Sequence, residues 1–122
     1  MKLALTVWEN RVSPLFDSTH MLLIVDIKKR NVIGKHLETF HYESPFTRAA
    51  KLANLDINVL ICGAISDLFA NPIEIYGIRI IPFIAGTVDE VLDAYLMGVL
   101  SSPKFRMPGC KSKGEGAFKE AD

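Results

Sequence analysis

The chain has 122 residues, and nearly half of them are apolar, which is enough for one domain with a buried core. Fourteen basic and fourteen acidic residues cancel, so the net charge does not favour nucleic acid or a membrane surface as the main partner. No apolar run approaches the roughly 20 residues that span a bilayer, and the first residues are typical of a strand rather than a signal peptide. These features predict a cytoplasmic protein.

The first half of the chain predicts an antiparallel meander followed by a helix. Apolar side chains alternate over 2–8, an apolar run occupies 21–27, and a third strand is expected at about 32–41. The short links between these runs favour antiparallel pairing of neighbouring strands. A serine–proline pair at 44–45 supplies a helix cap and a first-turn proline, and this helix is predicted to end near residue 54.

The segment 57–100 predicts two parallel strands, each followed by a helix. The apolar runs at 59–62 and 78–83 are continuous, as expected of strands that are covered on both faces. A single helical crossover makes such strands parallel, with a right-handed connection. Pro72 falls inside the crossover helix, which is therefore expected to be irregular or broken. The last helix is the clearest, because 87–90 reads Thr-Val-Asp-Glu and forms a capping box.

The carboxyl ends of the two parallel strands are predicted to share one edge of the sheet. Each strand is followed by a small-residue turn, at Gly63 and Gly86, and then by the start of a helix. Unpaired amide groups and the positive ends of helix dipoles gather at such an edge, which favours a small anion. Glycine also lets a ligand approach the backbone closely, although turn geometry alone explains these two glycines equally well.

Two cysteines and one histidine are candidate ligands. Cys62 ends a buried strand, where cysteine is most often a small apolar residue, although its position at the edge also allows a ligand role. Cys110 lies among cations and glycines, which favour a thiolate that could capture a soft metal or a metal–sulfide cluster. The alternative for Cys110 is an ordinary surface cysteine. Their different settings make a disulfide between the two improbable. His20 could face the same edge as Gly63.

The sequence contains none of the common catalytic patterns. The nucleophile elbow, the Walker phosphate loop and the dinucleotide-binding glycine pattern are absent, and the three histidines lack the spacing of a zinc-binding helix. Asp17, Asp26 and Asp67 are not paired for metal-assisted hydrolysis, and surface or capping roles explain them. A hydrolase is therefore the weakest of three functional hypotheses, and the protein is expected not to be an enzyme.

Several segments, in order, resemble the dinitrogenase iron–molybdenum cofactor biosynthesis family. They are RVSPLFD at 11–17, LICGAIS at 60–66, GIRIIPF at 77–83 and GTVDEVLDAYLMG at 86–98, and FRMPGC at 105–110 is similar to one branch of that family. The resemblance implies a ribonuclease-H-like three-layer α/β/α fold with a five-stranded mixed sheet. It also implies non-catalytic binding or carriage of a metal–sulfur cluster such as the iron–molybdenum cofactor or a precursor. Better-known members have His-Phe-Gly where this chain has Leu-Phe-Asp at 15–17, so a cluster-binding histidine is absent there.

These inferences combine into a predicted cluster carrier, with a cofactor-binding domain at 1–102 and a flexible basic tail at 103–122. An anionic metal–sulfur cluster would lie at the carboxyl edge of the parallel strands, with Cys62 and Cys110 as metal ligands and a cluster donor or acceptor protein as partner. The alternative is a metal-free regulatory or adaptor domain that binds a small anion or a protein at the same edge. The predicted binding residues are Arg11, Ser13, Phe16, His20, Cys62, Gly63, Ala64, Ser66, Gly86, Thr87 and Cys110.

Overall fold

The computed structural model describes residues 1–109. The strands are β1 (Lys2–Trp8), β2 (Arg11–Val12), β3 (Met21–Lys28), β4 (Asn31–Thr39), β5 (Val59–Ile61) and β6 (Arg79–Ile81). The helices are α1 (Pro45–Asn54), α2 (Asp67–Ile75) and α3 (Val88–Met97), with short 3-10 helices at Phe16–Ser18 and Pro103–Phe105. Within the described residues, no helix is both long enough and apolar enough to cross a membrane.

One mixed sheet runs through the molecule in the order β4-β3-β1-β5-β6, and β2 pairs with the end of β1. Strands β1, β3 and β4 pair antiparallel, which confirms the predicted meander. Strands β1, β5 and β6 are parallel, with Leu3 opposite Val59 and Val59 opposite Arg79. The ends of all three parallel strands therefore meet along one side of the sheet, here called the carboxyl edge.

Helices cover both faces of this sheet and give the predicted three-layer α/β/α arrangement. On one face, α1 and α2 bury Leu52 and Ile73 against sheet residues that include Leu60. On the other face, α3 buries Val91 and Leu92 against the opposite side of the same strands. Each fully buried aliphatic side chain contributes about 1.5–3 kcal/mol, so these two cores hold the layers together.

Helix α2 is continuous through Pro72, so the predicted break is wrong. Proline removes the hydrogen bond to the carbonyl four residues earlier, which belongs to Leu68. Pro72 and Ile73 are buried, and the packing of α2 offsets the missing bond.

Part of the predicted tail packs against the domain. Phe105 is buried in the core on the α3 face, and Ala85 N donates to Phe105 O at 2.8 Å. Met107 N donates to Phe83 O at 3.0 Å, just past the end of β6. The packed chain therefore extends beyond residue 102. The remainder of the predicted tail, 110–122, lies outside the described residues.

Candidate functional site at the carboxyl edge

At the carboxyl edge, a loop at 13–16 lies over the turn that follows β5. Ala64 N donates to Pro14 O at 2.9 Å, and Phe16 N donates to Ala64 O at 2.8 Å. Gly63 lies beneath this loop, and a Cβ placed on it would lie 2.5 Å from two carbonyl oxygens of the loop. Close approach of the chain's own backbone therefore accounts for the glycine, and both Gly63 and Ala64 have partners within the chain.

Phe16 is a core residue rather than part of the binding surface. Its side chain is fully buried, and its ring meets Phe40 and Phe69 edge-on, with centroids 5.8 and 5.9 Å apart. The buried Arg48 guanidinium lies 5.2 Å from the Phe16 ring centroid, and Arg48 Nη1 donates to Phe16 O at 2.7 Å. Burial lowers the pKa of Arg48, and Glu43, whose Oε1 lies 3.4 Å from Arg48 Nη2, opposes that shift. Phe16 and Arg48 together anchor the loop that covers Gly63.

Cys62 is also a core residue. It is fully buried, and this burial raises the pKa of its thiol far above the usual range, with a smaller contribution from the Asp17 carboxylate. Its backbone is paired as well, because Cys62 N donates to Ile81 O and Cys62 O accepts from Ile84 N. The thiolate rather than the neutral thiol binds a metal, and this burial keeps the Cys62 thiol neutral. The structure therefore assigns Cys62 to core packing, in contrast to its predicted role as a ligand.

The starts of α2 and α3 already face carboxylates of the same chain. The Thr87 hydroxyl accepts from Glu90 N at 3.2 Å, which confirms Thr87 as the cap of α3, and it donates to Glu90 Oε1 at 2.9 Å. Glu90 also pairs with Lys104 at 3.0 Å, and this contact lowers the pKa of Glu90. At α2, Ser66 N donates to Asp17 Oδ1 at 3.2 Å, while the Ser66 hydroxyl has no partner among the described residues. These carboxylates occupy the positive helix ends that would attract an anion.

The edge beside β6 differs, because a cleft of about 190 Å³ remains open there. Arg11 and Gly86 both line it, and Arg11 is exposed. Val12 N donates to Gly86 O at 3.0 Å, and Arg11 bridges Thr87, so β2 is held against the turn that follows β6. We call this the Arg11 cleft. Its lining residues are Trp8, Arg11, Val12, Pro14, Ile84, Ala85, Gly86, Met107 and Pro108.

A second depression, of about 380 Å³, shares Trp8 and Pro14 with the Arg11 cleft, and we call it the Trp8 groove. It contains the predicted residues Ser13 and His20. The structure thus places His20 and Arg11 in neighbouring depressions, with Trp8 between them. The Trp8 residue itself is 58% exposed.

Sequence reasoning missed Trp8 and Met107 as site residues. Trp8 is the last residue of β1 and is followed by polar residues, a position that could have indicated an exposed aromatic side chain at the edge. Met107 offered no signal of its own, since it reaches the cleft only because Phe105 is buried and brings the chain back to the sheet.

Protein ligands for a metal are sparse at this edge. Across residues 1–109, no three His, Cys, Asp or Glu side chains lie close enough together to hold a metal ion. Cys110 lies outside the described residues. Pro108, which precedes Cys110 by two positions in the sequence, lines the Arg11 cleft.

The family model described as "Dinitrogenase iron-molybdenum cofactor" matches residues 1–98. The chain belongs to this family. The matched region includes β1 to α3 and therefore the strands that form the carboxyl edge. Met107 and Pro108, which complete the Arg11 cleft, follow the part that matches the iron–molybdenum cofactor family.

Solved structures share the fold of this family member. A crystal structure of the protein PH0822 has a TM-score of 0.75 at 17% identity, covering 80% of this chain and 90% of that one. A protein provisionally described as a dinitrogenase from Methanocaldococcus jannaschii has a TM-score of 0.66 at 20% identity, with 81% and 90% covered. A protein provisionally described as a NifB protein from Thermotoga has a TM-score of 0.62 at 20% identity, with 80% and 89% covered. No curated protein matches the chain. At such low identity these structures show the fold alone.

Proposed function

We propose that this family member binds and carries an anionic metal–sulfur cluster in the Arg11 cleft, without catalysing a reaction. The observation that carries the proposal is that an exposed guanidinium and the chain leading into Cys110 border the same cleft. A guanidinium attracts an anionic cargo through charge and directed N–H groups. A cysteine thiolate binds soft metals such as those in metal–sulfide clusters.

The other lining residues suit such a cargo. Val12 and Ile84 are buried apolar residues in the wall, and they lower the local polarity, which strengthens the attraction between Arg11 and an anion. Met107 adds a thioether sulfur, a soft donor of the kind that binds thiophilic metals. Cys62 has no part in the proposal, because it is buried.

The scarcity of protein ligands favours a carrier over a protein with a resident cofactor. No group of three ligating side chains lies within the described residues, so the cargo would keep most of its own sulfide ligands. A cargo held by one thiolate and by charge can pass to another protein when that single bond exchanges. The Trp8 groove lies beside the Arg11 cleft and offers an apolar contact for the donor or acceptor protein.

Anaerobic titration with tetrathiomolybdate, followed by visible absorption, tests the proposal. We expect saturable binding at micromolar concentration to the wild-type protein. Cys110→Ser should lose most of the binding, and Arg11→Gln should weaken it by about tenfold, the effect of one charged hydrogen bond. Cys62→Ala is the matched cysteine control and should bind as the wild type does. Absence of binding to the wild-type protein at micromolar concentration would contradict the proposal.

A metal-free adaptor is the second candidate function, and the exposed Trp8 side chain favours it. Exposed tryptophan is enriched among the residues that dominate protein–protein binding energy, and Trp8 separates two open depressions. Metal and sulfide analysis of protein purified anaerobically from its host separates the two candidates. Stoichiometric metal with sulfide supports the carrier, whereas metal-free protein that binds no thiomolybdate supports the adaptor.

A further inference from the structure

A larger cavity lies at the opposite end of the sheet from the Arg11 cleft. Its volume is about 490 Å³, within the range of about 300–1,000 Å³ that is typical of small-molecule sites. It lies where β6 begins and β3 ends, beside the final turn of α3. Its apolar surface comes from Ile27, Ile81, Leu96 and Leu100. We call it the Arg79 pocket.

Three cationic side chains line this pocket, namely Lys29, Arg30 and Arg79, and all three residues are exposed. None of them forms an ion pair with another residue of the described chain. No acidic side chain within 1–109 lines the pocket. The surface is therefore locally positive, although the charges of the whole chain cancel.

The turn that carries two of these cations has an uncommon sequence for its backbone. Lys29 and Arg30 connect β3 to β4 with φ angles of 52° and 64°, both in the left-handed region. Two-residue hairpin turns with this geometry favour Asn-Gly, since these two residues adopt the left-handed conformation more readily than residues with longer side chains do. The hairpin geometry therefore does not account for lysine and arginine at these two positions.

The end of α3 does not account for three cations. The carboxyl end of a helix is equivalent to about half a negative charge. Gly98, in the left-handed conformation, already donates its N–H to the carbonyls of Ala94 and Tyr95. A single cation would balance what remains, so most of the positive charge around the pocket stays uncompensated.

We propose that the Arg79 pocket binds an organic anion that has an apolar ring system. The apolar part would contact Ile81, Leu96 and Leu100, and the anionic groups would pair with Arg79, Arg30 and Lys29. Tyr95 also lines the pocket, is partly buried, and supplies a hydroxyl donor beside the same ligand. This site is independent of the Arg11 cleft, which lies at the other end of the parallel strands.

Binding of 8-anilinonaphthalene-1-sulfonate to the full chain, mapped by amide chemical shifts, tests this proposal. We expect the largest shifts at Ile81, Leu96 and Leu100. Arg79→Gln and Arg30→Gln should each weaken binding by about tenfold, as expected for the loss of a charged hydrogen bond. Lys35→Gln is the matched control, since Lys35 is an exposed cation of β4 outside the pocket, and it should leave the affinity unchanged.

Two further probes separate the apolar from the anionic contribution. N-phenyl-1-naphthylamine has the same ring system without the sulfonate and should bind at least tenfold more weakly. Inorganic pyrophosphate has charge without rings and should also bind more weakly. Equal binding of either probe would overturn the proposal, as would the largest shifts near Trp8 or unchanged affinity in Arg79→Gln. Arg79 is exposed, so the amide spectrum of the free variant should show a native fold.

Discussion

The two strand–turn–helix units at the carboxyl edge have the same sequence pattern and different surroundings. After β5, the loop at 13–16 lies over Gly63 and fills the space above the turn. After β6, the cleft beside Gly86 stays open and is bordered by Arg11. A small-residue turn after a parallel strand thus indicates that something packs closely against the backbone of that turn. Whether the neighbour is another part of the protein or a ligand depends on residues that are distant in the sequence.

The largest expected effect on stability is at Arg48, the buried cation that anchors the loop over the turn after β5. Arg48→Met removes hydrogen bonds to the carbonyls of Phe16 and His41 and the ion pair to Glu43. Breaking such a buried network should lower the free energy of unfolding by about 4 kcal/mol. Urea denaturation measures this loss. Arg11→Gln, the exposed counterpart, should change stability by less than about 0.5 kcal/mol, and equal losses in the two variants would contradict the contrast.

Gly63→Ala should cause the next largest loss of stability. The new Cβ would lie 2.5 Å from two loop carbonyl oxygens, and neither backbone can move without disturbing the edge. We expect a loss of about 3 kcal/mol in urea denaturation, as for overpacked sites. Gly34→Ala is the control, because its Cβ would meet Asp26 Oδ2 at an ordinary 3.5 Å. A neutral Gly63→Ala would show that the loop does not fill this side.

The buried Cys62 thiol should make the stability of the protein depend on pH. Burial raises the pKa of its thiol, so the folded protein keeps the thiol neutral while the unfolded chain ionises as pH rises past about 8.5. The stability that the neutral Cys62 thiol contributes is therefore fully present at neutral pH, and it is lost progressively as the pH rises above about 8.5. We expect Cys62→Ala to lose about 1.5 kcal/mol at pH 7 and to lose less further stability between pH 8 and 10 than the wild type.

Reactivity of the same thiol provides an independent check. In a Cys110→Ser background, Ellman's reagent at pH 8 should detect no thiol in the native protein and one thiol in urea. Rapid reaction of native Cys62 would show that the β5 side is open to solvent, and it would restore Cys62 as a candidate ligand.

The smallest effects should distinguish the two helix starts. Thr87→Ala removes the hydroxyl that caps α3 and should cost about 1 kcal/mol in urea denaturation. Ser66→Ala should be neutral or slightly stabilising, because the buried Ser66 hydroxyl has no partner in the described chain. The reverse order would mean that the Ser66 hydroxyl, rather than the Asp17 carboxylate, stabilises the start of α2.

The parts of the fold that depend on local sequence were predictable. The alternation in β1, the continuous apolar runs of β5 and β6, and the helix cap at Thr87 each depend on a few neighbouring residues. The parallel pairing of β5 with β6 followed from their helical crossover, and the structure confirms it. The continuity of α2 was not predictable, because tertiary packing of the helix compensates for Pro72.

The candidate site was less predictable, because contacts between distant residues decide it. The sequence placed Phe16 and Cys62 at the edge, but Arg48, 32 residues after Phe16, draws that loop into the core. Arg11 and Gly86 are both among the predicted binding residues, and the structure brings both into the lining of the Arg11 cleft. Met107 reaches the cleft only through the packing of Phe105, for which no local pattern exists.

Anomalous diffraction at the molybdenum edge, from crystals of protein loaded anaerobically with tetrathiomolybdate, would locate the cargo directly. We predict a single peak in the Arg11 cleft, beside Arg11, Gly86 and Met107. A peak over Gly63 and Ser66, or one next to the Cys62 sulfur, would contradict the assignment of the open β6 side as the binding site.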